Sequence, residues 1–118
     1  MRKIIFYRTH AGRSPVQDFV DSLSSKQAQK VSWVLRVVRD LERVPAEYFK
    51  KLAGTDALWE VRVQHGGDAL RFPGFFDGAR LVVLVSGFAK TTDKVPAREI
   101  ALAQDRRKDY FKRKPYDG

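Results

Sequence analysis

Between Leu58 and Val85 the chain contains three runs with the spacing of β-strands, and this stretch constrains the fold most strongly. The first run alternates between two sets of side chains, as a strand with one buried face does: Leu58, Glu60 and Arg62, and Trp59, Val61 and Val63. A second run extends from about Ala69 to Phe76. The Asp77-Gly78 pair that follows is a strong signal for a two-residue hairpin. The third run, 81–85, is apolar on both faces, which predicts a central strand. The stretch therefore predicts a three-strand meander.

Two amphipathic helices are predicted before the meander. The first has a serine cap at Ser14, proline at the first helical position and glutamine three residues after the serine. A second capping pattern begins at Ser24, and Pro45 marks the end of that helix. Apolar residues keep one helical face in both segments: Val16, Phe19, Val20, Leu23, Val31, Val34, Leu35, Val38 and Leu41. We expect a helical hairpin that covers one face of a sheet.

The remaining segments complete an α+β fold. A short N-terminal strand is predicted at 4–7, and a closing helix is predicted to begin near Pro96 with Ile100, Ala103 and Tyr110 facing inward. Pro73 and Gly74 interrupt the second strand of the meander, where we expect a bulge or bend. Residues 1–118 show no repeat and no flexible linker, so a single domain is expected, with a small antiparallel-rich sheet packed by the helical hairpin and the closing helix.

The residues that are rare in this chain exclude several kinds of chemistry. Cysteine is absent, so neither disulfides nor thiolate zinc sites are possible. The two histidines, His10 and His65, lie in separate predicted loops, and no acidic cluster has metal-ligand spacing. No phosphate-cradling Gly-x-x-x-x-Gly-Lys loop occurs. We therefore expect no metal and no cofactor. No apolar run is long enough to span a bilayer or to act as a secretory signal, so a cytoplasmic protein without membrane contact is expected.

The cations are the candidate functional residues. Lys and Arg number 23 against 14 Asp and Glu, a net charge of +9 that favours nucleic acids or acidic proteins as partners. The cations near the predicted sheet and closing helix are Arg62, Arg71, Lys90, Lys94, Arg98 and the basic run 106–114. Metal-free RNA cleavage through the 2′-hydroxyl needs a base, a cation for the phosphorane and an acid. Arginine matches phosphate oxygens geometrically, and lysine can transfer protons when neighbouring cations depress its pKa.

Each candidate also has a simpler structural interpretation. Arg62 has the spacing of an i,i+2 surface pair with Glu60, and Arg71 has the spacing of a solvent-facing strand residue. The lysines at 90 and 94 and the run 106–114 are also consistent with solvated or partner-facing surface. His65 lies in a glycine-rich loop, where it is a candidate acid or base. The pattern alone supports a basic α+β domain that binds nucleic acid.

Three segments together resemble the RelE/HigB superfamily of bacterial toxins, in particular its phage-associated HigB-like branch. They are Lys51-Leu-Ala-Gly-Thr-Asp-Ala-Leu-Trp-Glu-Val-Arg62, Arg71-Phe-Pro-Gly-Phe-Phe-Asp-Gly78 and Phe88-Ala-Lys-Thr-Thr-Asp-Lys-Val-Pro-Ala-Arg-Glu-Ile100. The resemblance extends over essentially the whole chain. It implies a RelE-like fold and the toxin of a type II toxin–antitoxin pair, an endoribonuclease that cuts mRNA on the ribosome without a metal. The implied partners are mRNA, the ribosome and a HigA-like helix-turn-helix antitoxin, with operator DNA bound only through the antitoxin complex.

The resemblance also implies roles for individual residues. Arg62 corresponds to the basic residue on the first strand of the meander, and Arg71 to the arginine that stabilises the transition-state phosphate. Lys90 is expected to transfer protons. The remaining RNA-binding candidates are Lys94, Arg98, His65 and Tyr110, with Tyr110 or Phe72 as a stacking platform. The chain departs from many relatives at Glu60, Gly74 and Thr91. Two alternatives remain open: a ParE-like inhibitor of DNA gyrase, and a nuclease-inactive module that binds nucleic acid or antitoxin.

Overall fold

The computed structural model describes residues 1–91 and 94–114. In chain order its elements are β1 (Lys3–Phe6), α1 (Pro15–Asp21), α2 (Ser25–Asp40), β2 (Phe49–Lys51), β3 (Leu58–His65), β4 (Asp68–Asp77), β5 (Leu81–Leu84), β6 (Phe88–Lys90) and α3 (Ala97–Arg113). The predicted α+β fold class is confirmed. Among the helices in these residues, none is long and apolar enough to cross a membrane.

The two N-terminal helices begin where their caps predict. The Ser14 hydroxyl accepts a hydrogen bond from the backbone of the first turn of α1. Ser24 and Gln27 form a complete capping box at the start of α2. The predicted end of α2 is wrong, because the helix stops at Asp40, well before Pro45. The capping residues therefore predicted both helix starts correctly. Pro45 gave only an upper bound for the end of α2.

The sheet has six strands, in the order β1-β5-β4-β3-β2, with β6 paired to β4 beside β5. The pairing of β1 with β5 is parallel, and the other pairings are antiparallel. The apolar run at 81–84 forms β5, which lies between β1 and β4 as a central strand should. The short strands β2 and β6 were not predicted, since three residues are too few to show a period.

Both hairpins of the meander form, but their turns differ from the prediction. Asp77 pairs with Leu81, so the loop after β4 has three residues and contains Gly78 at φ 78°. At the other hairpin, β3 continues to His65 and pairs it with Asp68, which leaves a two-residue turn. The predicted 64–68 loop is therefore mostly strand.

The pairing of β4 with β3 has no bulge at Pro73 and Gly74, one of the two features expected there. The pairing of β4 with β3 continues through both residues. On its other side β4 changes partner here, from β6 to β5. The Val85 N–H donates to the Pro73 carbonyl at 2.9 Å, so the backbone of the proline faces the gap between β6 and β5, where a ladder donor is not required. A Cβ at Gly74 would lie 2.3 Å from the Val83 carbonyl oxygen, which makes glycine necessary at this position.

The sheet is covered unequally on its two faces. The helical hairpin packs on one face over a core of Val16, Val31, Val34, Val38, Phe49, Val61, Val63, Leu70, Phe72, Val82 and Leu84, as predicted. Helix α3 packs on the other face against a smaller cluster: Tyr7, Leu52, Leu58, Phe75, Val83, Val85 and Ala103. Ile100 and Tyr110 also pack there, which confirms the predicted inward face of α3. Because α3 covers only part of this face, polar residues of β3, β4 and β6 lie beside it.

Candidate nucleic-acid interface

Strand pairing brings the predicted strand cations together on the face that α3 partly covers. Arg62 of β3 lies directly opposite Arg71 of β4. On the other side of β4, Arg71 is paired with Phe88 and Ala69 with Lys90 of β6. Directly opposed strand residues project from the same face of a sheet. Arg62, Arg71 and Lys90 therefore occupy one area of the sheet.

A buried carboxylate, Glu60, lies between the two arginines. Its side chain is 5% exposed, and its Oε1 is 3.5 Å from the Nε of Arg62 and 3.7 Å from the Nε of Arg71. The Arg71 side chain is only 8% exposed. The i,i+2 pair of Glu60 with Arg62 therefore forms, but its carboxylate is buried although the Arg62 side chain is 26% exposed. The interpretation of Arg71 as a solvent-facing residue is wrong, because Arg71 belongs to the same buried cluster.

Burial dominates the electrostatics of this cluster. It raises the pKa of the Glu60 carboxyl, and the positive charges of Arg71, Arg62, Lys90 and Lys50 oppose that rise. Burial also lowers the pKa of Arg71, with repulsion from Arg62 acting in the same direction and attraction to Glu60 opposing it. The two arginines thus depend on one carboxylate for charge balance.

A cleft of about 420 Å³ opens beside Glu60, between the edge of the sheet and the start of α3. It is lined by Lys50, Lys51, Leu52, Ala53, Glu60, Arg62, Lys90, Lys94, Val95 and Ile100. Five of these ten residues are cations and one is an acid. Arg71 lies behind Glu60 and does not line the cleft.

The two lysines of β2 were not predicted as site residues. Lys50 is paired with Glu60, and Lys51 with Trp59, at the edge of the sheet. Both lysines are exposed. The only sequence signal is a basic pair after Phe49, and such a pair does not show that it will join the sheet beside Glu60.

Lys94 also lines the cleft, whereas Arg98 and His65, two other predicted RNA-binding residues, lie outside it. Arg98 is exposed in the first turn of α3 and is not among the residues that line the cleft. His65 ends β3, and strand alternation puts it on the opposite face from Glu60. Their roles in RNA binding remain predictions. Thr92 and Asp93, in the predicted loop before α3, lie outside the described residues.

Of the two predicted stacking residues, Phe72 is buried, and Tyr110 is half-buried with both its ring and its hydroxyl in contact with the sheet. The Tyr110 hydroxyl donates to Asp77 Oδ2 at 2.8 Å, and its ring packs edge-on against Phe75. Burial, followed by this hydrogen bond, raises the pKa of Tyr110 to about 12. Phe72 is fully buried under the helical hairpin. Tyr110 is thus engaged in fixing α3 to the sheet, and Phe72 is inaccessible to a base.

The cleft has the chemistry of an anion site. Arginine and lysine donate charge-assisted hydrogen bonds to phosphate oxygens, and apolar neighbours such as Val95 and Ile100 strengthen those interactions by excluding water. Over residues 1–91 and 94–114, no three His, Asp or Glu side chains are grouped so that they could hold a metal ion.

Comparison with known proteins identifies a family. A family model described as phage derived protein Gp49-like (DUF891) matches residues 18–108. The match begins in α1 and ends in α3, so it includes all five cations that line the cleft. No curated protein matches the chain.

Proposed function

Because the chain belongs to the phage-derived Gp49-like family, we propose that it is the toxin of a type II toxin–antitoxin pair and acts as a metal-independent endoribonuclease on translated mRNA. The Gp49-like family is a RelE-like toxin family associated with toxin–antitoxin systems. The finer proposal, RNA cleavage on the ribosome, rests on the chemistry of the cleft.

The observation that carries the proposal is the cationic cleft beside the two opposed arginines. Five cations line a space of about 420 Å³, which is large enough for a phosphodiester with its ribose. Single-stranded RNA is bound in grooves of this character, where cations follow the backbone. An enzyme that stabilises a phosphorane needs the same charges close to one phosphate.

The residues divide into proposed roles. Arg62 donates to the non-bridging oxygens of the scissile phosphate, and Arg71 supports the same charge from behind Glu60. Lys90 transfers a proton at the ribose hydroxyl or at the leaving oxygen, and Lys94 contacts a neighbouring phosphate. The reaction needs only a proton acceptor, a proton donor and cationic stabilisation, which these side chains supply without a metal.

A toxin of this family implies a cognate antitoxin. We propose a helix-turn-helix antitoxin that neutralises the toxin by binding it and that carries the DNA-binding surface of the pair. The toxin would then contact operator DNA only through this complex.

The experiment that tests the function is induced expression in cells, with growth followed and mRNA 5′ ends mapped. Lys90→Met is the most informative variant. Lys90 lines the cleft, and its removal leaves the ion pairs of Glu60 with Arg62 and Arg71 in place. Lys26→Met is the matched control, an exposed lysine on the first turn of α2. Wild type and Lys26→Met should arrest growth and create new ends inside reading frames. Lys90→Met should reduce cleavage by about 100-fold, a loss typical of removing a residue that transfers a proton in the reaction.

Other outcomes would decide between the proposed function and its alternatives. Growth arrest without new mRNA ends would contradict RNA cleavage and indicate a gyrase-type target. A soluble protein that causes no arrest would indicate a nuclease-inactive binding module. Equal loss of cleavage in Lys26→Met would show that general charge, and not the cleft, is responsible.

A further inference from the structure

Three polar atoms in the Glu60 cluster are buried without a hydrogen-bond partner. They are Glu60 Oε2, Arg62 Nε and Arg71 Nε. The ion pairs of Glu60 Oε1 with the two Nε atoms, at 3.5 and 3.7 Å, are too loosely arranged to count as hydrogen bonds. Other atoms of the arginines do have partners, since Arg62 Nη1 donates to the Ala46 carbonyl and Arg71 Nη1 to the Leu70 carbonyl. The two Nε atoms therefore lie near the Glu60 carboxylate without donating a hydrogen bond to it.

Such an arrangement is costly, and its form indicates what would complete it. Buried polar groups without partners raise the free energy of the folded protein, and a ligand that pairs with them removes that cost. Two opposed arginines repel each other and need an anion between them, and Glu60 supplies that charge in the free protein. A phosphate in the cleft can supply the same charge: it can accept directly from Arg62, which lines the cleft, and it acts on Arg71 behind Glu60 through its negative charge.

We propose that Glu60 is the positioning counter-ion of Arg62 and Arg71, and that a bound phosphodiester takes over this role while Glu60 takes up a proton. The inference rests on the proposed function, because it requires RNA in the cleft. Glu60 lines the cleft itself, so a phosphate that contacts Arg62 there lies against the carboxylate.

The direction of the effect follows from the charges around Glu60. Within the described residues, the titratable groups around Glu60 are basic: Lys50 and Lys51 from β2, Arg62 from β3, Arg71 from β4, Lys90 from β6 and Lys94 from the loop before α3. Helix α3 contributes the apolar Ile100. A phosphate adds negative charge and draws the arginines away, and both changes raise the pKa of Glu60 above its already raised value. RNA affinity should therefore fall as pH rises through the titration of Glu60.

The test is calorimetric titration with an oligonucleotide that carries 2′-O-methyl riboses and so cannot be cleaved. Titrations at one pH in two buffers of different ionisation enthalpy give the number of protons taken up. Wild type should take up protons and lose up to tenfold in affinity for each pKa unit by which binding shifts Glu60. Glu60→Gln should take up none, bind at least as tightly as wild type at neutral pH and lose the pH dependence. Glu47→Gln, which removes an exposed glutamate just before β2, should behave as wild type.

A measurement without any substitution keeps the inference testable if Glu60→Gln does not fold. The side-chain carboxyl carbon of Glu60, followed by NMR in wild type, should titrate at higher pH when the oligonucleotide is bound. RNA binding without proton uptake, or uptake that persists in Glu60→Gln, would overturn the role of Glu60 and leave the proposed function standing. Failure of wild type to bind the oligonucleotide at any pH would instead count against the proposed function.

Discussion

Arg62 and Arg71 face each other across two strands with one acid beside them, so the chemistry of the cleft depends on three side chains acting together. Removing Arg71 alone would leave Glu60 with one arginine and with a buried oxygen that still lacks a partner. Any effect of Arg71→Ala on activity would then combine lost phosphate contact with a disturbed cluster. Lys90 and Lys94 are better places to test the chemistry, because both line the cleft itself and neither belongs to the Glu60 ion pairs with the two arginines.

Gly74 is the residue at which the backbone limits the side chain most strongly. An added Cβ would lie 2.3 Å from the Val83 carbonyl oxygen and 2.9 Å from the Leu84 side chain. Gly74→Ala should therefore lower the free energy of unfolding by roughly 1–3 kcal/mol, the usual range for forcing extra atoms into a packed site. Urea denaturation would measure the change. Gly67→Ala is the control, since a Cβ there meets nothing within 4 Å, and an equal loss in both variants would contradict this explanation.

At the level of the elements, α3 determines how much of the sheet stays open, and its C-terminal half is fastened at two points. Asp109 accepts from the Tyr7 hydroxyl and from the Arg113 guanidinium, which joins α3 to the end of β1. Asp77, at the end of β4, accepts from Tyr110 and pairs with Lys114. With this half fixed against the apolar cluster, the N-terminal end of α3 forms one wall of the cleft.

The acid sensitivity of the protein should reflect the Asp109 contacts. The hydrogen bond from Arg113, followed by that from Tyr7, lowers the pKa of Asp109 to about 2. A carboxyl whose pKa is depressed on folding stabilises the fold above its ordinary pKa, and this contribution disappears as pH falls from about 4 to about 2. Asp109→Asn should be less stable than wild type at pH 7, and the difference should shrink over that interval. Urea midpoints at both ends of the interval would measure it.

Asp105→Asn is the matched control for this prediction. Asp105 is an exposed acid on the same helix, and within the described part of the chain it is not assigned a hydrogen bond or an ion pair. Its substitution should leave the acid dependence of wild type unchanged. If Asp105→Asn and Asp109→Asn had the same effect, general helix charge would explain the result better than the contacts of Asp109.

Element by element, the sequence predicted what local patterns encode and missed what distant contacts decide. The helix starts and the apolar β5 run follow from caps and hydrophobic periods, which neighbouring residues set. Strands β2 and β6 form because they pair with the edges of β3 and β4. A segment of three residues is too short for its own sequence to reveal such a pairing. The sequence identified Arg62 and Arg71 as candidates from their residue type. That they lie opposite each other, and that Glu60 is buried between them, depends on the strand register, which the sequence alone does not reveal.

For the molecule as a whole, the net charge of +9 and the cleft act over different distances. Several cations are engaged within the fold, such as Arg2, which donates to carbonyls at the end of α2, and Arg106, which donates to Val85. These charges still attract a polyanion at long range. We expect the cleft to make the direct contacts with phosphates. The salt dependence of binding separates these contacts from the long-range attraction by the net charge.

The salt dependence of RNA binding should therefore report on the cleft. Each phosphate contact with single-stranded RNA contributes about −0.7 to the slope of log K against log salt, so five cleft cations in contact give roughly −3.5. Lys90→Met should make the slope less negative by about 0.7, whereas Lys26→Met should leave it unchanged. Fluorescence anisotropy with an uncleavable oligonucleotide over a range of salt concentrations would measure both. A slope near zero would mean that phosphates are not the ligands of the cleft. An equal change in both variants would mean that RNA follows the overall charge of the protein and does not occupy the space beside Glu60.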